Sequence, residues 1–225
     1  MVGAVPGVCQ LSAPQTVVFF DLDGTLTDPK LGITRSIQYA MKTLGFEPPE
    51  MDALTWCIGP PLAESFQRLV GRSLVERAVS LYRERFADIG WEENARYGGV
   101  LEVLATLEAA GVPLYVATSK PTVFATKIVA HFDMEPYFLR VFGAELNGVR
   151  SNKAELLAYA MNETGCGADS VMIGDRKHDV IGAKANGLMS IGVSYGYGSV
   201  EELTEAGAEA IVHQPEELFA AICGK

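Results

Sequence analysis

At 225 residues, 48% of them apolar, the chain is long enough to bury a substantial interior, either as one large domain or as a core carrying an insertion. A formal charge of -10 and a pI near 4.8 exclude a sequence-independent grip on a nucleic-acid polymer or an anionic membrane, so any anionic substrate has to be met by a few local cations and a metal. Cys9, Cys57, Cys166 and Cys223 are too scattered for a zinc site or a disulfide framework, and no apolar run approaches the roughly 18 residues of a membrane span.

Residues 1–14 contain Gly3, Pro6, Gly7 and Pro14 but no basic stretch ahead of a long apolar one, and they read as a flexible tail rather than a signal peptide. With the unpaired cysteines, this points to a cytoplasmic protein. Val17-Val18-Phe19-Phe20 then runs straight into Asp21-Leu22-Asp23-Gly24-Thr25-Leu26-Thr27-Asp28, the pattern of a buried strand emptying onto the edge of a sheet. Side chains alternate along a strand, so Asp21 and Asp23 share a face while Leu22 turns the other way. Gly24 permits a sharp turn, and the Thr25 hydroxyl is placed for a local hydrogen bond. Two carboxylates this close raise each other's pKa unless a cation sits between them, so the spacing asks for a metal.

Ile33, Ile37, Ala40, Met41 and Leu44 recur at helical spacing, predicting a helix over 31–44 that stops at Gly45. Pro48-Pro49 breaks the chain, and Cys57-Ile58-Gly59-Pro60-Pro61 is a stiff turn ahead of two further helical faces. The first carries Leu62, Phe66, Leu69 and Val70; the second carries Leu74, Ala78, Leu81, Tyr82, Phe86 and Ile89. Residues 30–96 therefore form a small all-helical unit, with Gly98-Gly99 as the return linker. From Val100 onward helices and strands alternate: a helix ending at Gly111, a strand over 112–119, Pro121 in the first turn of the next helix, and a short strand near 141–146. A helix over 152–163, a strand over 170–175, a helix closed by Gly187, and strands at 189–193 and 210–212 complete the series. Alternation of this kind predicts an α/β, Rossmann-like parallel sheet with helices on both faces, built from residues 15–29 and 97–225. In such sheets ligands bind beyond the carboxyl ends of the strands. Asp21, Asp23, Thr118, Ser119 and Asp175 all lie at predicted strand ends, so they can meet in one site although far apart in sequence.

Asp21-Leu22-Asp23-Gly24-Thr25, Thr118-Ser119-Lys120, Lys153 and Gly174-Asp175-Arg176-Lys177-His178-Asp179, in that order, resemble the four motifs of the haloacid dehalogenase superfamily. The helical unit resembles the cap inserted after the first motif in phosphoglycolate phosphatase-like members. The resemblance implies a Mg²⁺-dependent phosphohydrolase. Asp21 is then the nucleophile that forms an aspartyl phosphate, and Asp23 the acid that protonates the leaving oxygen and later accepts a proton from water. Thr118 and the Ser119 backbone N–H hold the phosphoryl group, and Lys153 offsets its charge, preferred over Lys120 and Arg150 because it opens a helix after Ser151-Asn152. Mg²⁺ is held by the Asp21 carboxylate, the Asp23 carbonyl and Asp175, while Asp179 holds a metal-bound water or Lys153. Gly24, Thr25 and Gly174 support the site, and Gly59, Pro60 and Pro61 resemble a specificity loop. Arg35, Arg68 and Lys42 are placed to face an anionic leaving group. Taken singly, each residue has a plainer reading: a strand-ending acid caps a turn, Thr118 caps a helix, and Lys153 is solvated. His178 reads as a capping or solvated side chain, and His131 and His213 belong to no constellation.

The implied substrate is a small phosphate monoester, phosphoglycolate-like or a nucleoside 5'-monophosphate, handled by a monomer or homodimer without nucleic-acid or membrane partners. A sugar phosphomutase uses the same pair of acids, although Thr25 resembles the hydrolases instead. A phosphonate hydrolase needs a cap lysine in a suggestive setting, which neither Lys30 nor Lys42 has. Outside the enzymes stand a phosphoaspartate receiver module and a metabolite-binding protein without turnover. The receiver places its acidic pair before the acceptor strand, whereas here the acceptor ends the first strand.

Overall fold

The computed structural model describes residues 16–223, so the tail expected over 1–14 lies outside the described residues. The chain enters at β1 (Val18–Phe20), whose three residues are fully buried, and turns into the two-residue β2 (Thr27–Asp28). Then come α1 (Lys30–Thr43), a 3-10 turn over Met51–Cys57, α2 (Leu62–Val70) and α3 (Val75–Arg85), which continues as a π-helical turn over Phe86–Gly90. The equally short β3 (Ala95–Arg96) brings the chain back. It is followed by α4 (Val100–Ala109), β4 (Leu114–Pro121), α5 (Thr122–His131), β5 (Arg140–Ala144), α6 (Lys153–Thr164) and β6 (Val171–Gly174). The last elements are α7 (Lys177–Ala185), β7 (Met189–Val193), α8 (Val200–Ala206), β8 (Ala210–Val212) and α9 (Leu218–Cys223).

Six parallel strands form one sheet in the order β5-β4-β1-β6-β7-β8. From β1 the strand order runs to one side through β4 and β5, then crosses to the other side through β6, β7 and β8. The crevice beyond the end of β1 is thus the switch point where such sheets bind ligands. Alternation along β1 divides the core. Val18 and Phe20 pack with Leu104, Leu107 and Ile128 of α4 and α5 on one face, and Val17 and Phe19 pack with Leu156, Leu157, Ala160 and Ala183 of α6 and α7 on the other.

The helices between β2 and β3 bury an apolar face made of Ile33, Ile37, Ala40, Phe66, Ala78, Leu81 and Phe86. Their cluster is continuous with the sheet's own: Phe86 stacks on Tyr82 at 5.4 Å and meets Phe124 of α5 edge-on at 5.3 Å. Burying an aromatic ring in this way stabilises by about 1.5–3 kcal/mol. Among the described residues, no helix is long and apolar enough to cross a membrane.

Three differences from the sequence expectation have local causes. Residues 95–96 fall at the end of the unit expected to be all-helical, after its last helical face and in the return linker, yet they form a strand that pairs antiparallel with β2, Thr27 opposite Arg96 and Asp28 opposite Ala95. Strands of two residues carry no period, and this pairing arises because the chain leaves and re-enters at one edge. Pro121 ends β4 instead of opening the next helix, beside a shift in the β4–β5 register between Thr118 and Pro121 that releases Ser119 and Lys120 from the ladder. The short α8 and α9 also escaped the periodicity.

Candidate active site

The register of the sheet builds the site. Phe20 lies opposite Val116 of β4 and Ile173 of β6, so the next row along is Asp21, Ala117 and Gly174, and the row after that contains Thr118 and Asp175. Asp21 is fixed by its backbone N–H donating to the Ile173 carbonyl at 2.8 Å. Leu22 turns into the core, and its carbonyl accepts from the N–H groups of Leu26 at 2.9 Å and Thr27 at 3.0 Å. Gly24, at φ +85°, closes this turn in the left-handed region, and a Cβ there would stand inside the Asp175 carboxylate. The local bond expected of the Thr25 hydroxyl is absent. Backbone groups close the turn instead, with the Gly24 N–H donating to the Thr27 carbonyl at 2.7 Å, and the buried hydroxyl has no hydrogen-bond partner among the described residues.

Asn152 caps α6 by accepting from the N–H groups of Ala154 at 2.9 Å and Glu155 at 3.3 Å, which places Lys153 in the first turn. The buried Lys153 ammonium lies 3.0 Å from Asp21 Oδ1 and 2.8 Å from Asp179 Oδ1, and it donates to the Ala117 carbonyl at 2.8 Å. The ammonium is thus held by one hydrogen bond and two ion pairs. Burial works against this charge, but Asp179 and Asp21 outweigh it and hold the Lys153 pKa above its ordinary value. Lys120 serves the other acid, with Nζ 2.5 Å from Asp23 Oδ2 and 4.7 Å from the centre of the Phe86 ring. Arg150 is drawn away to Glu145 at 2.7 Å. The Thr118 hydroxyl accepts from the Lys120 N–H at 3.2 Å, and Thr118 and Ser119 line the cavity together with Asp21 and Asp23.

Ligand oxygens of Asp21, Asp175 and Asp179 lie within 4.8 Å of one another. Asp175 Oδ2 accepts from the Tyr197 N–H at 2.8 Å, while its Oδ1 is buried without a hydrogen-bond partner, as is Asp23 Oδ1. Asp179 Oδ2 accepts from the Arg176 N–H at 3.1 Å, whereas its Oδ1, like Asp21 Oδ1, lies at ion-pair distance from Lys153 without a hydrogen bond. Burial, reinforced by the charges of Asp179 and Asp21, pushes the Asp175 pKa well above the carboxylate range. Burial also raises Asp23 against the opposing pull of Lys120, and raises Asp179 against that of Lys153. Buried, unsatisfied carboxylate oxygens crowded in this way are what a hard divalent cation relieves, and the all-oxygen donor set fits Mg²⁺.

Some neighbours of the site carried no signal in the sequence. Tyr195-Gly196-Tyr197-Gly198 follows β7 and folds over Asp175; a Cβ at Gly198 would collide with the Asp175 carbonyl, and the Tyr195 hydroxyl donates to the Thr25 carbonyl at 3.1 Å. The Arg176 guanidinium donates to the Ile58 carbonyl and pairs with Glu202 at 2.9 Å. Gly59, Pro60 and Pro61, beside that contact, line one wall of a cavity of about 580 Å³ that opens onto Asp21 and Asp23. Arg35 is tied to Glu93, and Arg68 lies over Trp56 at 5.0 Å; neither they nor Lys42 line this cavity, whereas Arg83 does. His131 packs on Trp91 and His213 contacts Ser194, both away from the acids.

A switch-point crevice with acids beyond the ends of β1 and β6, a threonine on β4 and a buried lysine between the acids is the arrangement of one hydrolase class. Residues 18–193 match the haloacid dehalogenase-like hydrolase family, and the chain belongs to it. The chain is 45% identical over 206 residues to a 5'-nucleotidase of Pseudomonas aeruginosa, covering 90% of each protein. It is 38% identical over 202 residues to the tyrosine-protein kinase PtkA of Mycobacterium tuberculosis, covering 89% of this chain and 69% of that one. A crystal structure from Clostridium acetobutylicum, described as a predicted phosphatase, superposes with a TM-score of 0.90 at 41% identity, covering 95% of this chain and all of the other.

Proposed function

We propose that the chain is a Mg²⁺-dependent phosphatase of small phosphate monoesters, phosphoglycolate-like or nucleoside 5'-monophosphates, acting through Asp21. The observation that carries this reading is the pairing of buried Lys153 with Asp21 and Asp179 beside the unsatisfied oxygens of Asp175 and Asp23. An Asp21 carboxylate oxygen attacks phosphorus, the P–O bond to the leaving alcohol breaks, and Asp23 gives that oxygen a proton. Water then attacks the phosphorus of the aspartyl phosphate, Asp23 takes the proton back, and inorganic phosphate leaves as the bond to Asp21 breaks. The Thr118 hydroxyl and the Ser119 N–H orient the phosphoryl oxygens, and Lys153 balances the charge that gathers on them. The Asp21 carboxylate, the Asp23 carbonyl and Asp175 would hold Mg²⁺, which would supply Lewis-acid stabilisation of the phosphoryl oxygens. Residues 30–96 act as a cap over a core of residues 15–29 and 97–225, and the Gly59-Pro60-Pro61 turn bounds the space left for the leaving group.

The test is phosphate release from phosphoglycolate, nucleoside 5'-monophosphates and p-nitrophenyl phosphate, with Mg²⁺ or EDTA and no protein acceptor present. Release without an acceptor also separates hydrolysis from the kinase activity that PtkA's name describes. Asp21→Asn is expected to stay folded and to lose turnover by a factor on the order of 10⁴ or more. Retention of most activity by that variant would remove Asp21 as the attacking group.

A further inference from the structure

Arg83 lies on the face of α3 that lines the cavity, half-buried, with its Nε shielded from solvent. Among the described residues that nitrogen has no hydrogen-bond partner, and no carboxylate lies within ion-pair distance of the guanidinium. Five other arginines are ion-paired, Arg35 and Arg85 with Glu93, Arg140 with Glu163, Arg150 with Glu145 and Arg176 with Glu202, and the remaining ones without a carboxylate partner among the described residues, Arg68, Arg72, Arg77 and Arg96, do not line the cavity. A guanidinium carries five donors in a fixed fork and cannot shed its charge, so one held unpaired against a cavity wall calls for an acceptor from inside the cavity.

Its place along the helix says which part of a ligand would supply that acceptor. Phe86, one turn further on, lies against the Lys120 ammonium that pairs with Asp23, so this end of α3 adjoins the acids. Arg83 stands one turn back from it, and Val79, then Val75, line the next turns outward, with Glu76 beside them. Counting outward from the acids, the wall presents an aromatic ring, a cation and then an apolar strip. An ester that fits carries hydrogen-bond acceptors on its alcohol close to the ester oxygen.

We infer that Arg83 is a specificity-determining residue that donates to acceptors on the leaving group, and this rests on the phosphatase reading above. The acceptors have two sources, the hydroxyl and ring oxygens of a nucleoside or the carboxylate of a phosphoacid. Phenyl phosphate offers neither.

The experiment measures kcat and KM for a nucleoside 5'-monophosphate, phosphoglycolate and phenyl phosphate on the wild type, Arg83→Gln, Arg83→Lys and Asp21→Asn. In Arg83→Gln, kcat/KM for at least one acceptor-bearing ester, relative to phenyl phosphate, is expected to fall about ten- to hundredfold, mainly through KM. The arm that falls further identifies a neutral or a carboxylate acceptor. Ratios within twofold of wild type for both esters would overturn the assignment. If Arg83→Gln does not fold, Arg83→Lys decides by the same ratio: it keeps the charge but loses the fork, so an unchanged ratio overturns the assignment and a fall of about threefold or more supports it. A wild type that releases no phosphate from any ester, or an Asp21→Asn variant that keeps its rate, instead brings down the phosphatase reading and this inference with it.

Discussion

Lys153 balances the acids of the site that Lys120, paired with Asp23, does not reach. Asp21, Asp175 and Asp179 stand around it, all buried; it ion-pairs with Asp21 and Asp179 and donates to the Ala117 carbonyl. Lys153→Met fills much the same space without the charge, leaving buried carboxylates uncompensated. Without metal, this variant is expected to lose about 3–5 kcal/mol of stability, the usual cost of breaking a buried ion pair from one side. Mg²⁺ should restore part of that stability but little turnover, because charge balance on the phosphoryl group contributes on the order of 10²–10³ in rate. Urea unfolding in EDTA and in Mg²⁺, beside phosphate release, checks both; an unfolding midpoint equal to wild type in EDTA would show that the ammonium balances nothing. The acids of the site were legible because apolar runs empty straight into them, as Val17 to Phe20 does into Asp21 and Val171 to Ile173 does before Asp175. Lys153 was legible only by its order among the other motifs, and the attachment of Lys120 to Asp23 was not legible at all. That contact spans 97 positions of sequence and exists because a register shift frees the end of β4.

At the level of elements, strands with continuous apolar runs and helices with clear periodicity read correctly to within a few residues, because burial on both faces imposes composition directly. The two-residue β2 and β3 are held by pairing alone and left no pattern. The face of α3 that meets the cavity was equally hidden. Arg77, Arg83 and Arg85 look alike in sequence, and only the docking of the helix against α1 and α2 separates the one facing the cavity from the others. The same holds for Arg176, which sits next to Asp175 but reaches the turn after the Met51–Cys57 segment through the Ile58 carbonyl, while Glu202 of α8 holds its other edge. Arg176→Gln keeps the chain length short of both partners, so the Gly59-Pro60-Pro61 wall loses its tie to the acid-bearing edge of the sheet. KM is expected to rise about three- to tenfold with kcat changed less, the effect of one charge-assisted hydrogen bond spent on holding a wall in place. Faster proteolytic cleavage near residues 58–61 should accompany it, and an unchanged KM would mean that the turn holds its position unaided.

Across the whole molecule, the order β5-β4-β1-β6-β7-β8 makes β1 the strand at which the chain changes direction, and every group of the site is delivered by that topology to one edge. This concentrates buried negative charge, and its effect on stability has a definite sign. Burial places the Asp175 pKa well above the ordinary carboxylate value and raises those of Asp23 and Asp179. An acid whose folded-state pKa is raised contributes stability that is fully present below its ordinary pKa and is lost as pH rises through the folded value. Lys153 is shifted upward from an ordinary value of 10.5, so its contribution stays constant between pH 5 and 8 and cannot mask the trend. Metal-free protein should therefore take on the penalty of its crowded acids progressively as pH rises from the ordinary carboxylate value through their raised folded values. A divalent cation bound to the ionised carboxylates would remove that penalty. At about 100 times its Kd, Mg²⁺ stabilises by roughly 2.7 kcal/mol, equivalent to about 5–10 °C in Tm for a chain of this size. The expected result is a gap in Tm between Mg²⁺ and EDTA samples that widens from pH 5 to pH 8. A gap that is absent, or that narrows as pH rises, would show that the acids at the end of β1 do not share a cation.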